Sequence, residues 1–163
     1  MGASSWAYFV PYQTDIKRTL QELRQKVFQS GEYYLRPQME VDLESYKNMP
    51  KEVREQAKLR VEREKPFSKP TSITALLEWN GEEGTHSIID VENISSAPMF
   101  NAVAPLSKDQ LVYLFGTDKP DRSIVQEKAK EILTLRKRWE GAYIIIYKSG
   151  IPDEIFFTGF SGD

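Results

Sequence analysis

The sequence predicts an α+β fold whose sheet is mostly antiparallel, with about five strands packed on two to three helices and an additional charged helix. Three observations lead there. The strand-like segments cluster in pairs instead of alternating strictly with helices. The two strongest, Ala142 to Tyr147 and Glu154 to Phe160, are separated by Lys148 and by Ser149 to Asp153 (SGIPD), which is turn composition. Between the pairs lie stretches with helical apolar spacing and recognisable caps.

In chain order, Ser5 to Tyr12 (SWAYFVPY) is aromatic and carries β-branched Val10, so it reads as a strand. Pro11 marks its end or an edge position. A helix follows, capped by Thr14 or Asp15, whose side-chain oxygens can accept the free N–H groups of the first turn. Ile16, Leu20, Leu23, Val27 and Phe28 share one helical face. Gly31 supplies the left-handed residue that ends it. Glu40 to Glu44 (EVDLE) alternates as a short strand or a loop. Ten of the fifteen residues from Lys51 to Lys65 are charged. Val53, Ala57 and Val61 form a thin apolar stripe there, with Leu59 off it. Lys51/Glu55, Lys58/Glu62 and Arg60/Glu64 are i,i+4 pairs in the weaker orientation. This predicts an exposed helix, and the segment 39–70 reads as a charged helical insertion in a single domain spanning 1–163.

Pro66 and Pro70 bracket a turn. Thr71 or Ser72 caps a short helix that Asn80-Gly81 stops. Thr85 to Val91 (THSIIDV) reads as a strand, with Phe100 to Ala104 returning as its hairpin partner. Ser107 and Gln110 make a capping-box pattern, and Leu106 and Leu111 occupy the staple positions around it. That helix ends at Gly116. The next starts between Asp118 and Asp121, buries Val125, Ala129, Ile132, Leu133 and Trp139, and ends at Gly141. Ala142 to Tyr147 is unbroken apolar sequence, as expected of a strand covered on both faces.

Composition removes much chemistry. There is no cysteine, so no disulfide, thiolate nucleophile or iron–sulfur ligation. A single histidine, His86, rules out a multi-histidine metal centre within one chain. No metal site and no cofactor are expected: phosphate and dinucleotide loop motifs are absent, and Gly159-Phe160-Ser161-Gly162 is not a nucleophile elbow. Net charge is −2, which argues against a nucleic-acid partner. No apolar run approaches the roughly 20 residues of a membrane span, and no lysine or arginine precedes Lys17. A cytoplasmic protein off the membrane is the expectation.

The remaining candidates for chemistry are few. His86 is the group best suited to acid–base work near neutral pH. In a strand, His86 and Asp90 would lie about 13 Å apart at ~3.3 Å per residue, with Ser87 on the opposite face. A carboxylate partner must then come from elsewhere, such as Asp15, a glutamate or Asp163. Asp15, Arg18, Glu22, Arg24 and Lys26 line the polar side of the first helix. Arg136-Lys137-Arg138-Trp139 puts a basic cluster beside a stacking ring. Tyr12, Arg24 and Trp139 are the candidate binding residues.

Three segments carry a resemblance: Trp6-Ala7-Tyr8-Phe9-Val10-Pro11-Tyr12 with its helix, Gly84-Thr85-His86-Ser87-Ile88-Ile89-Asp90, and Gly159-Phe160-Ser161-Gly162-Asp163. Together they resemble a group of small uncharacterised bacterial proteins that end in a GFSGD-like tail. The resemblance implies a free-standing bacterial protein and no mechanism. Two functions stand as expectations. The first is a non-catalytic interaction or regulatory protein, immunity-like, with a protein partner or a second copy of itself; the 19 aromatic residues support it, since Tyr and Trp favour interfaces. The second is a small cofactor-independent enzyme using His86 with a carboxylate.

Overall fold

Trp6 explains how the sheet is built. Its indole lies across Gly159 and Gly141 on the two neighbouring strands, and a Cβ at Gly141 would stand 2.7 Å from its Cη2. The computed structural model describes residues 3–37, 43–63 and 68–162, with side chains left undescribed at 62 and 63. Asp163, 38–42 and 64–67 lie outside them, and so do the readings made at Pro66 and over most of Glu40 to Glu44.

Five strands form one sheet in the order β1-β5-β4-β3-β2. They are β1 (Ser5–Pro11), β2 (Asn93–Ile94), β3 (Ala102–Pro105), β4 (Glu140–Lys148) and β5 (Ile151–Phe160). The sheet is mixed. β1 and β4 run antiparallel to β5, but β3 is parallel to β4 and β2 is parallel to β3. The helices are α1 (Ile16–Ser30), α2 (Lys51–Arg63), α3 (Ile73–Asn80), α4 (Lys108–Phe115), α5 (Arg122–Glu127) and α6 (Ala129–Leu133). The class is α+β, yet the expectation of a mostly antiparallel sheet with two to three helices does not hold. Three helices, α4 to α6, carry the chain from β3 back to β4, and a crossover of that kind brings the strands together in parallel.

The sheet is covered on both faces. Trp6, Ile155, Phe157 and Val103 on one face pack with Leu20, Leu23 and Val27 of α1 and Leu76 of α3. Phe156, Ala142, Ile144 and Ile146 on the other pack with Phe115, Val125 and Ile132 of α4 to α6. Each fully buried Leu, Val or Phe contributes roughly 1.5–3 kcal/mol. Local signals hold where they act alone. Asp15 caps α1 by accepting the Arg18 N–H at 2.9 Å, and Gly31 ends it at φ 75°. Ser107 and Gln110 cap α4 reciprocally. The last hairpin forms as expected, although β5 begins earlier, at Ile151.

Two segments depart from the sequence reading. Residues 84–90 make no strand. Their own side chains draw the backbone into a 3₁₀ turn over Ile88–Asp90: Ser87 Oγ accepts the Ile89 N–H and the Asp90 carboxylate accepts the Thr85 N–H at 2.8 and 3.0 Å. His86 sits at φ 55°, a left-handed conformation outside any strand. Phe100 to Ala104 accordingly has no hairpin partner there. The helix expected to run to Gly141 breaks at Lys128 and stops at Leu133. Trp139 then takes φ 62°, and Gly141 belongs to β4.

Candidate functional site

The 84–90 turn closes one end of the sheet, where β1 begins and β5 ends. Asn80, fully buried, donates to Tyr34 O at 2.8 Å and Gly84 O at 2.6 Å and accepts the Arg36 N–H at 3.1 Å. The Tyr34 N–H in turn donates to Thr85 O at 2.7 Å. Arg24 is 4% exposed and donates twice to Ile89 O, at 3.0 and 3.3 Å. Burial pulls its pKa down, while Glu92 and Asp90 pull it up. The candidate binding residue Arg24 therefore holds the turn in place. It falls four residues after Leu20 and next to Leu23, inside the apolar face, and that spacing was the available signal of its burial.

Asp90 is 4% exposed. Burial pushes its pKa above the ordinary carboxylate range; the Ser161 hydroxyl, the Thr85 N–H and hydroxyl and the His86 imidazole each oppose that rise. Ser161, whose hydroxyl opposes the rise, is itself fully buried. The 3₁₀ turn thus places His86 and Asp90 in one field, where a strand would have kept them apart. His86 is half-buried, its ring stacked on Tyr34 at 4.4 Å and 9°. Tyr34 Oη donates to Glu83 at 2.9 Å.

Trp139 joins the same end from the opposite side. Its indole covers Gly162 so closely that any side chain there would overlap the ring, and it reaches Gly84 and, at 5.9 Å, Phe100. It clamps the C-terminal segment, with Phe100 and Met99 exposed beside it. Arg136 is buried and donates to Gly141 O and Ala104 O, so the expected basic cluster loses its first member to strand pinning. Asp15 and Tyr12 lie at the far end of the sheet, about 20 Å away along β1 at ~3.3 Å per residue. Asp15 is a helix cap, and Tyr12 is half-buried with its N–H on Asp153 O. The structure therefore brings neither residue to His86. Asp163 lies outside the described residues.

A different surface stands out on α2. Among the described side chains of this helix only Ala57 is buried, while Val53, Leu59 and Val61 are exposed. The helix packs mainly on the 3₁₀ turn Leu43–Tyr46. Between them runs a groove of about 380 Å³, lined by Leu43, Tyr46, Lys47, Lys51, Arg54, Glu55 and Lys58. Lys51, Arg54, Glu55 and Lys58 recur at +3, +4 and +7, one helix face. The i,i+4 pairs of the sequence leave Arg54 out, and the +3, +4, +7 spacing is the signal that joins it to this face.

No described helix is long and apolar enough to cross a membrane. Among the described residues no group of three or more His, Asp or Glu stands where it could hold a metal ion. Compared with family models, with curated proteins and with solved structures, the chain finds no match.

Proposed function

We propose that this protein acts by binding another protein without catalysis, in a regulatory or immunity-like role, and that α2 presents the contact face. One observation carries the reading: α2 leaves Val53 and Val61 40% and 38% exposed on the same stripe as buried Ala57. A 13-residue helix is marginal alone in water, and its surface ion pairs contribute only a few tenths of a kcal/mol each. An exposed apolar stripe on such a helix is the form that helix-in-groove recognition takes. Leu43, on the 3₁₀ turn that α2 packs on, and Met49, just before the helix, are exposed as well. The polar groups at the 84–90 turn, by contrast, are largely engaged in holding backbone.

The test is a photo-reactive benzophenone residue placed at Val61 in the protein's native cells, with exposed Lys148 as the control position. A discrete protein adduct at position 61 and none at 148 is the expected result. No adduct, or the same adducts at both, would overturn the reading.

A second reading, a cofactor-independent acid–base enzyme, has one observation in its favour: half-buried His86 shares the field of buried Asp90. It requires a small ligand at His86. Imidazole NMR signals that do not move on addition of small carboxylates and phosphates would remove it.

A further inference from the structure

We infer that the groove between the Leu43–Tyr46 turn and α2 takes an acidic peptide segment anchored by apolar side chains. This rests on the protein-binding reading and specifies the chemistry of the partner. The lining holds Lys47, Lys51, Arg54 and Lys58 with Glu55; counting Glu44, which pairs with Lys47 at its edge, an excess of two positive charges remains in a chain whose net charge is −2. Screening confines that field to about 8–10 Å, so the acidic remainder of the chain does not cancel it within the groove.

The cations are not all spoken for. Lys47 pairs with Glu44 at 2.7 Å and Lys51 with Glu55 at 3.9 Å, both exposed pairs that are readily exchanged. Among the described residues Arg54 and Lys58 have no ion-pair partner. Arg54 offers the planar fork that receives a carboxylate through two parallel hydrogen bonds. Leu43 and Tyr46 supply apolar lining, and the Val53–Ala57–Val61 stripe adjoins the basic face on α2. A strand of nucleic acid would meet the cations but leave this apolar surface without a match. An acidic segment with Leu or Phe among its carboxylates matches both. The volume, about 380 Å³, holds a few side chains of such a segment.

The probe is a phage-displayed library of random 12-residue peptides, selected on the full chain at low salt. Enriched peptides are expected to carry an excess of Asp and Glu with at least one large apolar residue. Arg54→Glu/Lys58→Glu should weaken the best synthetic peptide by about tenfold or more, the loss of one charge-assisted hydrogen bond. Raising NaCl should weaken it several-fold. Should the double variant fold poorly by circular dichroism, Arg54→Gln/Lys58→Gln replaces it and should lose affinity in the same direction. Acidic peptides indifferent to both variants would overturn the inference. So would a 12-nucleotide single strand that binds more tightly than the best peptide. Apolar peptides without acidic bias, lost on Val53→Asp/Val61→Asp, would overturn it while leaving the protein-binding reading standing. No enrichment at all, together with no cross-link at Val61, would sink both.

Discussion

Gly159→Ala is expected to destabilise the protein by about 2 kcal/mol or more, against the usual benefit of replacing a strand glycine. That benefit is roughly 0.5–1 kcal/mol from the lower entropy of the unfolded chain. Gly159 has an ordinary φ, so backbone strain does not decide the sign. Space does. An added Cβ would stand 2.6 Å from Glu140 O and 2.7 Å from Trp6 Cη2. Glu140 O belongs to a paired strand, and Trp6 is itself 4% exposed and walled in by the core. Overpacking of this kind costs about 1–3 kcal/mol and occasionally more. For a chain of this size 2 kcal/mol corresponds to a fall in Tm of about 4–8 °C. Urea and thermal unfolding of wild type, Gly159→Ala, Trp6→Val and the double variant measure it. The double variant should recover about 1 kcal/mol relative to the sum of the singles. Unchanged or higher stability for Gly159→Ala, or strict additivity, would refute the account of Trp6 as the ring that fixes those glycines.

Two further outcomes follow from the 84–90 turn. Burial raises Asp90's pKa, so the native protein takes up that proton at a higher pH than the unfolded chain does. Its contribution to stability is therefore greatest below the unfolded value near 3.9 and is lost as pH rises through the raised folded value. Asp90→Asn should flatten that part of the curve; urea midpoints from acid to neutral pH that fall in parallel for both proteins would contradict it. Asn80→Ala strips three hydrogen bonds from buried or half-buried backbone groups of Tyr34, Gly84 and Arg36. A loss of about 2–4 kcal/mol in urea unfolding is expected, and a loss under about 1 kcal/mol would show that the turn does not depend on it.

What the sequence disclosed tracks the range of the interactions involved. Asp15, Gly31 and the Ser107/Gln110 box act within one helical turn, and each was readable from neighbours three or four residues away. The unbroken apolar run around Ile144 reads as a strand covered on both faces; the structure makes it a strand, with Ala142, Ile144 and Ile146 buried and Tyr143, Ile145 and Tyr147 on the other face half-buried. The Thr85 to Asp90 segment misled because its β-like composition conceals two side chains, Ser87 and Asp90, that bond the segment's own backbone, and a Thr85–Ser87 hydroxyl pair beside them. The direction of β3 relative to β4 depends on how α4 to α6 cross the sheet, and no local pattern records that. The partners of Arg136 and Trp139, the carbonyls of Ala104 and Gly141 and the backbone of Gly162, are distant in sequence or lie at the expected helix end, so no local pattern showed what these two side chains hold. The candidate groove on α2 was written in the +3, +4, +7 spacing of its charges, but only the placement of the Leu43–Tyr46 turn makes that face concave.

The most direct test of the docking face is a photo-cross-linking scan around α2 itself, one benzophenone position at a time, in the native cells. Yields should be high at Val53, Arg54, Lys58 and Val61 and low at Glu52 and Gln56 on the opposite side, so that they follow the helical period. Yields that are uniform around the helix, or absent throughout, would contradict a protein partner seated on this face.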